Sequence, residues 1–303
     1  MLSRAVALVR EHPLLTPLLI VYATVSLIAA IFAFGPSHFP IDLVLLAAYV
    51  SAIHFATRGR PLPSPADQAP ADRSRDVGLT ISVAALQLAG ITLAWFVIIP
   101  HGFPAAWAAG LRAAGIPSLI AGKAAAAMLT VPLVLVPTVV AVVAFRVRAR
   151  DVGLTARPRD LLLGVALAAI SVGVGAGAAG AGGHPGLLWQ SAPLPILTAT
   201  IAFQSLVNGL PEEFAFRGVI FGRLMPWLGR PGNSLAISTM AFGLYHVPSF
   251  VAGSGRPIWL AVATGLFGAL SGLVFGYLYY RTRSIWPGVI WHTSNTGVGL
   301  MFV

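Results

Sequence analysis

Nine apolar runs of near-membrane length follow one another along this chain, close to residues 14–34, 41–57, 79–100, 119–145, 161–181, 194–210, 234–252, 258–280 and 285–302. A helix crossing a bilayer needs about 20 predominantly apolar residues, within a range of roughly 17–25. In hydrocarbon no water satisfies backbone N–H and C=O groups, so each such run must close its own hydrogen bonds as an α-helix. The runs at 41–57 and 285–302 are short, which gives eight to nine spans. The fold class that follows is an all-α polytopic membrane protein. Only 9% of the residues are charged, against about 25% in a soluble domain, and this excludes the soluble fold classes.

The charges also order the spans. Cytoplasmic loops of membrane proteins carry an excess of Lys and Arg. With the N-terminus in the cytoplasm and the spans alternating, all but Arg112, Lys123 and Arg256 of the 19 basic residues fall on the cytoplasmic side. The C-terminus is then expected outside, and the protein in the cytoplasmic membrane of the cell. The net charge of +10 is therefore a topology signal. The expected surroundings are the lipid bilayer, and no nucleic acid partner is expected. Arg4 and Arg10 precede a run that reaches about Phe34, too long for the apolar region of a signal peptide, so it reads as a retained first span.

The stretch from Arg58 to Val77 is rich in Pro, Ala, Asp and Arg and reads as a loop. This divides the chain into an N-terminal transmembrane helix pair (1–57), a cytoplasmic loop (58–78) and a transmembrane core of about seven helices (79–303). The pair is expected to be an accessory element. There is no cysteine, which excludes disulfides, zinc–thiolate sites and a cysteine nucleophile. Gly173 and Gly177, and Gly268, Gly272 and Gly276, recur every four residues, a spacing that lets membrane helices pack closely.

Beyond Asp160 the only acidic side chains are Glu212 and Glu213. A charged residue at the centre of a membrane helix costs roughly 2.5–3.5 kcal/mol on insertion scales, so such residues usually face a bundle interior or a wet cavity. Pro211 suits a first helical position. The acid pair would then lie in a first turn, where the helix dipole favours negative charge. Glu213 and Arg217, four apart, share a face and can pair. Glu212 is rotated by about 100° and is left free to act as a base or a ligand.

His246 lies in Phe242-Gly-Leu-Tyr-His-Val-Pro248, with Phe242 on its face. His292 lies in Trp286-Pro-Gly-Val-Ile-Trp-His-Thr-Ser-Asn-Thr296, with Asn295 and Thr296 on its face. A lone histidine in an apolar span is more often a packed core residue; two of them, each in a separate span after an acid pair, point to a site. His12, His38, His101 and His184 fall in loops or at span ends, and His54 sits where its ring can reach the interface.

Two kinds of hydrolase can be built from these groups. Glu212 and His246 can bind and deprotonate a water while His292 and Asn295 donate to the oxyanion. Alternatively, Glu212, His246 and His292 can hold a divalent metal, zinc first, whose bound water ionises near pH ~7. No other cofactor is expected. There is no His-Glu-x-x-His element and no Gly-x-Ser-x-Gly elbow.

At these residues the sequence resembles the CPBP family, the type II CAAX prenyl endopeptidases and bacteriocin-processing or immunity proteins, also called Abi. Its marks are Glu-Glu-x-x-x-Arg, Phe-x-x-x-His and His-x-x-x-Asn/Asp, each in its own helix. Glu212, Glu213 and Arg217 match the first, Phe242 and His246 the second, and His292 opens the third. The fourth position after His292 is Thr296, and the asparagine comes one residue early, at Asn295. The resemblance covers about 150–303. It implies a helical intramembrane peptidase in which Glu212 is the catalytic base, His246 stands beside it and His292 helps hold the oxyanion. Members are commonly labelled metalloproteases.

The expected function is an intramembrane endopeptidase that hydrolyses a peptide bond of a membrane-associated protein or peptide. The alternatives are a non-catalytic membrane immunity or scaffold protein, and a proton-coupled transporter.

Overall fold

The computed structural model describes residues 15–29, 31–32, 38–61, 73–181 and 193–297. Expectations that fall on other residues, including the N-terminal Arg4 and Arg10, the end of the first span, the middle of the 58–78 loop and the end of the last span, lie outside the described residues. Within them the chain is an all-α polytopic bundle. The helices are α1 (Leu15–Ala29), α2 (His38–Thr57), α3 (73–98), α4 (Phe103–Ala113), α5 (Ser118–Ala144), α6 (Pro158–Ala181), α7 (Leu194–Leu228), α8 (Pro231–Ser254), α9 (Ile258–Thr282) and α10 (Trp286–Gly297). Six of these, among the described residues, are long and apolar enough to cross a membrane: α3, α5, α6, α7, α8 and α9. Leu162, Val143 and Ile258 are each more than two-thirds exposed. Apolar surface on that scale belongs against lipid rather than water.

There are three differences from the sequence reading. Helix α3 already includes Arg73, ahead of residue 79, and its buried Asp76 is paired with Arg223 of α7 at 2.9 Å. Helix α4 is short and lies between Gly102 and Gly115, both with positive φ, so it carries no membrane-length run to reveal it. Most consequential, α7 does not stop near residue 210. It runs without a break to Leu228, so Pro211 does not begin a helix, and Glu212, Glu213 and Arg217 lie inside it rather than at a helix start or in a loop.

Wide turns explain how. A proline inside a helix lacks an N–H and crowds the carbonyl four residues back. Here the residue before each of three prolines bonds five residues back instead: Ile99 to Ala94 at 2.8 Å, Val136 to Val131, and Leu210 to Ser205. These wider π-type turns precede Pro100, Pro137 and Pro211; α5 and α7 continue past their prolines, whereas α3 ends at Ile98, just before Pro100. A fourth wide segment, Glu213–Phe221, follows in α7.

Helix α10 packs along α6 and against the wide turn of α7, α9 packs on α8, and α1 and α2 lie against the two halves of α9. Buried Arg281 of α9 donates from Nε to Thr57 Oγ1 at 2.9 Å, tying α2 to the core. The start of α10 is anchored to the segment before α6: Ile285 N–H donates to Gly153 O at 2.9 Å, Trp286 Nε1 to Leu154 O at 3.0 Å, and Ser284 Oγ to Thr155 O at 2.8 Å.

Glycine decides one crossing. A β-carbon at Gly243 of α8 would lie 2.9 Å from Gly265 O and 2.9 Å from Ala269 Cβ on α9. Gly272 and Gly276 likewise face neighbouring side chains, whereas Gly173, Gly177 and Gly268 face open space and make no such contact. Thermal unfolding of the purified protein in micelles should separate these classes. Gly243→Val should lower the melting temperature through overpacking of about 1–3 kcal/mol, and Gly173→Val should leave it near wild type.

Candidate active site

Three helices bring the site together. Glu212 and Glu213 come from the middle of α7, His246 from the junction that divides α8, and His292 from α10. The junction in α8 follows from Pro248: its missing N–H interrupts the ladder, and Ser249 Oγ bonds back to His246 O at 2.7 Å. The break leaves the His246 ring half-buried and facing α7.

Glu213, Arg217 and His292 are buried. Glu213 Oε1 lies 3.3 Å from Arg217 Nη1 and 2.9 Å from His292 Nδ1. One carboxylate thus holds its own helix and α10. Gly288 makes this approach possible, since a β-carbon there would sit 2.8 Å from Glu213 Oε2. The Arg217 guanidinium lies over the Phe242 ring at 4.3 Å. Phe242 also meets the His246 ring edge to face at 4.8 Å. Phe275 of α9 stacks on His292 at 4.8 Å and 21°.

Glu212 is also buried, but its surroundings differ. Its Oε2 lies 3.5 Å from His292 Nε2 and 3.8 Å from His246 Nε2, and makes no hydrogen bond to the protein. Asp76, Asp151, Asp160 and Glu213 each lie beside an arginine; among the described residues Glu212 alone has only imidazoles within ion-pair distance. A buried carboxylate that faces imidazoles and no guanidinium is costly to keep and marks a functional position.

The hydrogen bonds fix which ring nitrogens face Glu212. His246 Nδ1 is 2.8 Å from Phe242 O, and His292 Nδ1 is 2.9 Å from Glu213 Oε1. A carbonyl and a carboxylate can only accept, so both Nδ1 atoms carry the proton and both Nε2 atoms turn toward Glu212. The separations of 3.5 and 3.8 Å exceed a hydrogen bond and suit a shared water. These are the right elements for a metal as well. Yet among the described residues no group of three His, Cys, Asp or Glu side chains has the arrangement of a metal-ion site.

Asn295 is exposed and lines the same small cavity as His246 and His292. The side chain of Thr296 lies outside the described residues. Three supporting residues, Asn208, Gln204 and Phe275, are not evident in the sequence. Asn208 donates from Nδ2 to Glu212 Oε1 at 3.3 Å, and Gln204 Nε2 donates to Asn208 Oδ1 at 2.7 Å. The signal for Asn208 is its place four residues before Glu212, which counts only once α7 is known to pass through Pro211. Phe275 sits in an apolar run with nothing to distinguish it.

Residues 194–298 match the family described as type II CAAX prenyl endopeptidase Rce1-like. That segment fits the CPBP/CAAX protease family. It spans α7 to α10 and contains every residue of the acid and histidine cluster. No curated protein and no solved structure matches the chain. The Rce1-like match supports a CAAX-type intramembrane endopeptidase.

Melting temperatures in micelles check the division of labour between the two acids. Glu213→Ala breaks a buried ion pair and should cost about 3–5 kcal/mol, while Glu212→Ala should cost clearly less. Equal melting of Glu213→Ala and wild type would remove Glu213 from its bridging role.

Proposed function

We propose that this protein is an intramembrane endopeptidase that hydrolyses a peptide bond of a membrane-associated protein or peptide with a water activated by Glu212. The observation that carries this is the buried Glu212 carboxylate facing two imidazole Nε2 atoms at 3.5 and 3.8 Å.

In this reading the Nε2 lone pair of neutral His246 accepts a hydrogen bond from the water and aims it. Glu212 takes the water's proton as the water oxygen attacks the amide carbonyl carbon. The carbonyl electron pair moves onto oxygen, where His292 Nε2–H and the Asn295 carboxamide donate to it. Collapse breaks the C–N bond, and Glu212 returns its proton to the departing amine. His292 can donate from Nε2 only as the imidazolium, because its Nδ1 proton is committed to Glu213. The buried charges then sum to zero, with Glu212 and Glu213 opposing Arg217 and His292. Neutrality of this kind is what a low-dielectric interior demands. Asn208 acts as a positioning residue through Glu212.

The test is cleavage of a pool of apolar membrane-segment peptides by the full chain in proteoliposomes. Glu212→Gln keeps the shape and removes the base, and should lower turnover by at least about 10²–10⁴-fold with the melting temperature retained. The same assay on a chelated, metal-free preparation should show full activity. Activity lost on chelation and restored by zinc would assign the ligand role to Glu212, His246 and His292 instead. Undiminished cleavage by a folded Glu212→Gln protein would overturn the reading, and no cleavage by wild type would favour a scaffold.

A further inference from the structure

Glu212 and His246 do not face a uniform space. They line a cavity of about 370 Å³, and His246 also lines, with His292 and Asn295, a second one of about 180 Å³. The two differ in character. The smaller is edged by Gly265, Gly268 and Ser271 beside its aromatic rings. The larger is walled by Ile91, Trp95, Leu129, Leu133, Val134 and Val207.

The larger cavity has a structural origin. Three of the wide proline-linked turns border it: Ala94 and Trp95 from α3, Leu133 and Val134 from α5, and Val207 and Asn208 from α7. In each helix the turn spreads the backbone just before a proline, and the three openings meet beside the catalytic carboxylate. Two of these helices, α3 and α5, lie outside the family-matched segment 194–298. The chemistry thus comes from α7 to α10, and the shape of the adjoining space comes largely from the rest of the chain.

Resting on the peptidase reading above, we propose that this cavity is a specificity subsite that takes a bulky apolar side chain of the substrate, next to the scissile amide. The volume falls within the ~300–1,000 Å³ of ligand pockets. The wall is mainly apolar, and two of its hydroxyls, on Thr130 and Ser249, already donate to main-chain carbonyls of their own helices, so a charged side chain would find little to pair with there. Because Glu212 and His246 themselves line it, an occupant that fills it lies against the reacting group; a separate lipid chain would instead compete with substrate. The preferred substrate is an apolar segment cut beside a Leu-, Phe- or Trp-sized residue, with the chain continuing past His246 into the smaller, glycine-edged space.

Two substitutions away from the catalytic groups test this. Ala126 is half-buried on the cavity wall, so Ala126→Phe fills the space, and Leu133→Ala enlarges it. The full chain in proteoliposomes is given a matched peptide series that varies one residue beside the cleaved bond from Ala to Trp, and kcat/KM is measured for each. Wild type should favour the large apolar residues. Ala126→Phe should lower kcat/KM for these by about 10–200-fold, the scale of a misfit in an apolar pocket, while peptides with Ala are cut as before. Leu133→Ala should move the optimum toward Trp. Cleavage with an unchanged order of preference in both variants would overturn the subsite, as would a wild-type preference for charged or small residues. If Ala126→Phe melts early, Leu133→Ala decides alone. No cleavage of any peptide by wild type would instead overturn the peptidase reading itself.

Discussion

A carboxylate within a lipid-embedded bundle must be paired where it lies, and Glu213 meets this with Arg217 on its own helix and His292 on α10. The rest of the site follows from that pairing. It draws α10 against α7 across Gly288 and commits the Nδ1 proton of His292. Nε2 of that ring is thereby turned toward Glu212. The second acid, one residue earlier, is left with two imidazoles and no guanidinium. Two adjacent glutamates in one helix therefore have separate tasks, set by what each one meets.

The prolines give the fold its second organising feature. In a helix interior each would cost about 3 kcal/mol or more. The chain instead widens one turn before Pro137 and Pro211 and the helix continues, while the wide turn before Pro100 closes α3. Such turns loosen a helix locally, and here the loosened places face one another around a cavity beside Glu212. The same device that tolerates proline shapes the ground on which a substrate would lie. Aromatic rings do the opposite work: Phe242 and Phe275 fill the space between Arg217 and the imidazoles and leave them little freedom.

Much of this was legible in the sequence, and what was not has a physical reason. Membrane-length apolar runs announce a helical bundle because hydrocarbon permits little else. The pairing of Glu213 with Arg217 was readable from helical spacing, and the grouping of Glu212 with His246 and His292 from the cost of burying charge together with the family resemblance. The course of α7 was not. Pro211 usually starts or breaks a helix, and only the wide turn before it, which no local pattern announces, lets α7 run from Leu194 to Leu228. That error hid Asn208 and put Glu212, Glu213 and Arg217 at a helix start. Phe275 was invisible for another reason: stacking on His292 depends on how α9 crosses α10, and an apolar residue in an apolar run carries no mark of it.

Histidine nitrogen resonances test the Glu213 bridge most directly. With ¹⁵N-labelled histidine in the full chain, held in micelles, His292 should show a protonated Nδ1 in the wild type. Glu213→Gln should shift that resonance and leave His246, whose Nδ1 is held by the Phe242 carbonyl, in place. An unprotonated Nδ1 on His292, or a resonance indifferent to the change at residue 213, would contradict the arrangement on which the site is built.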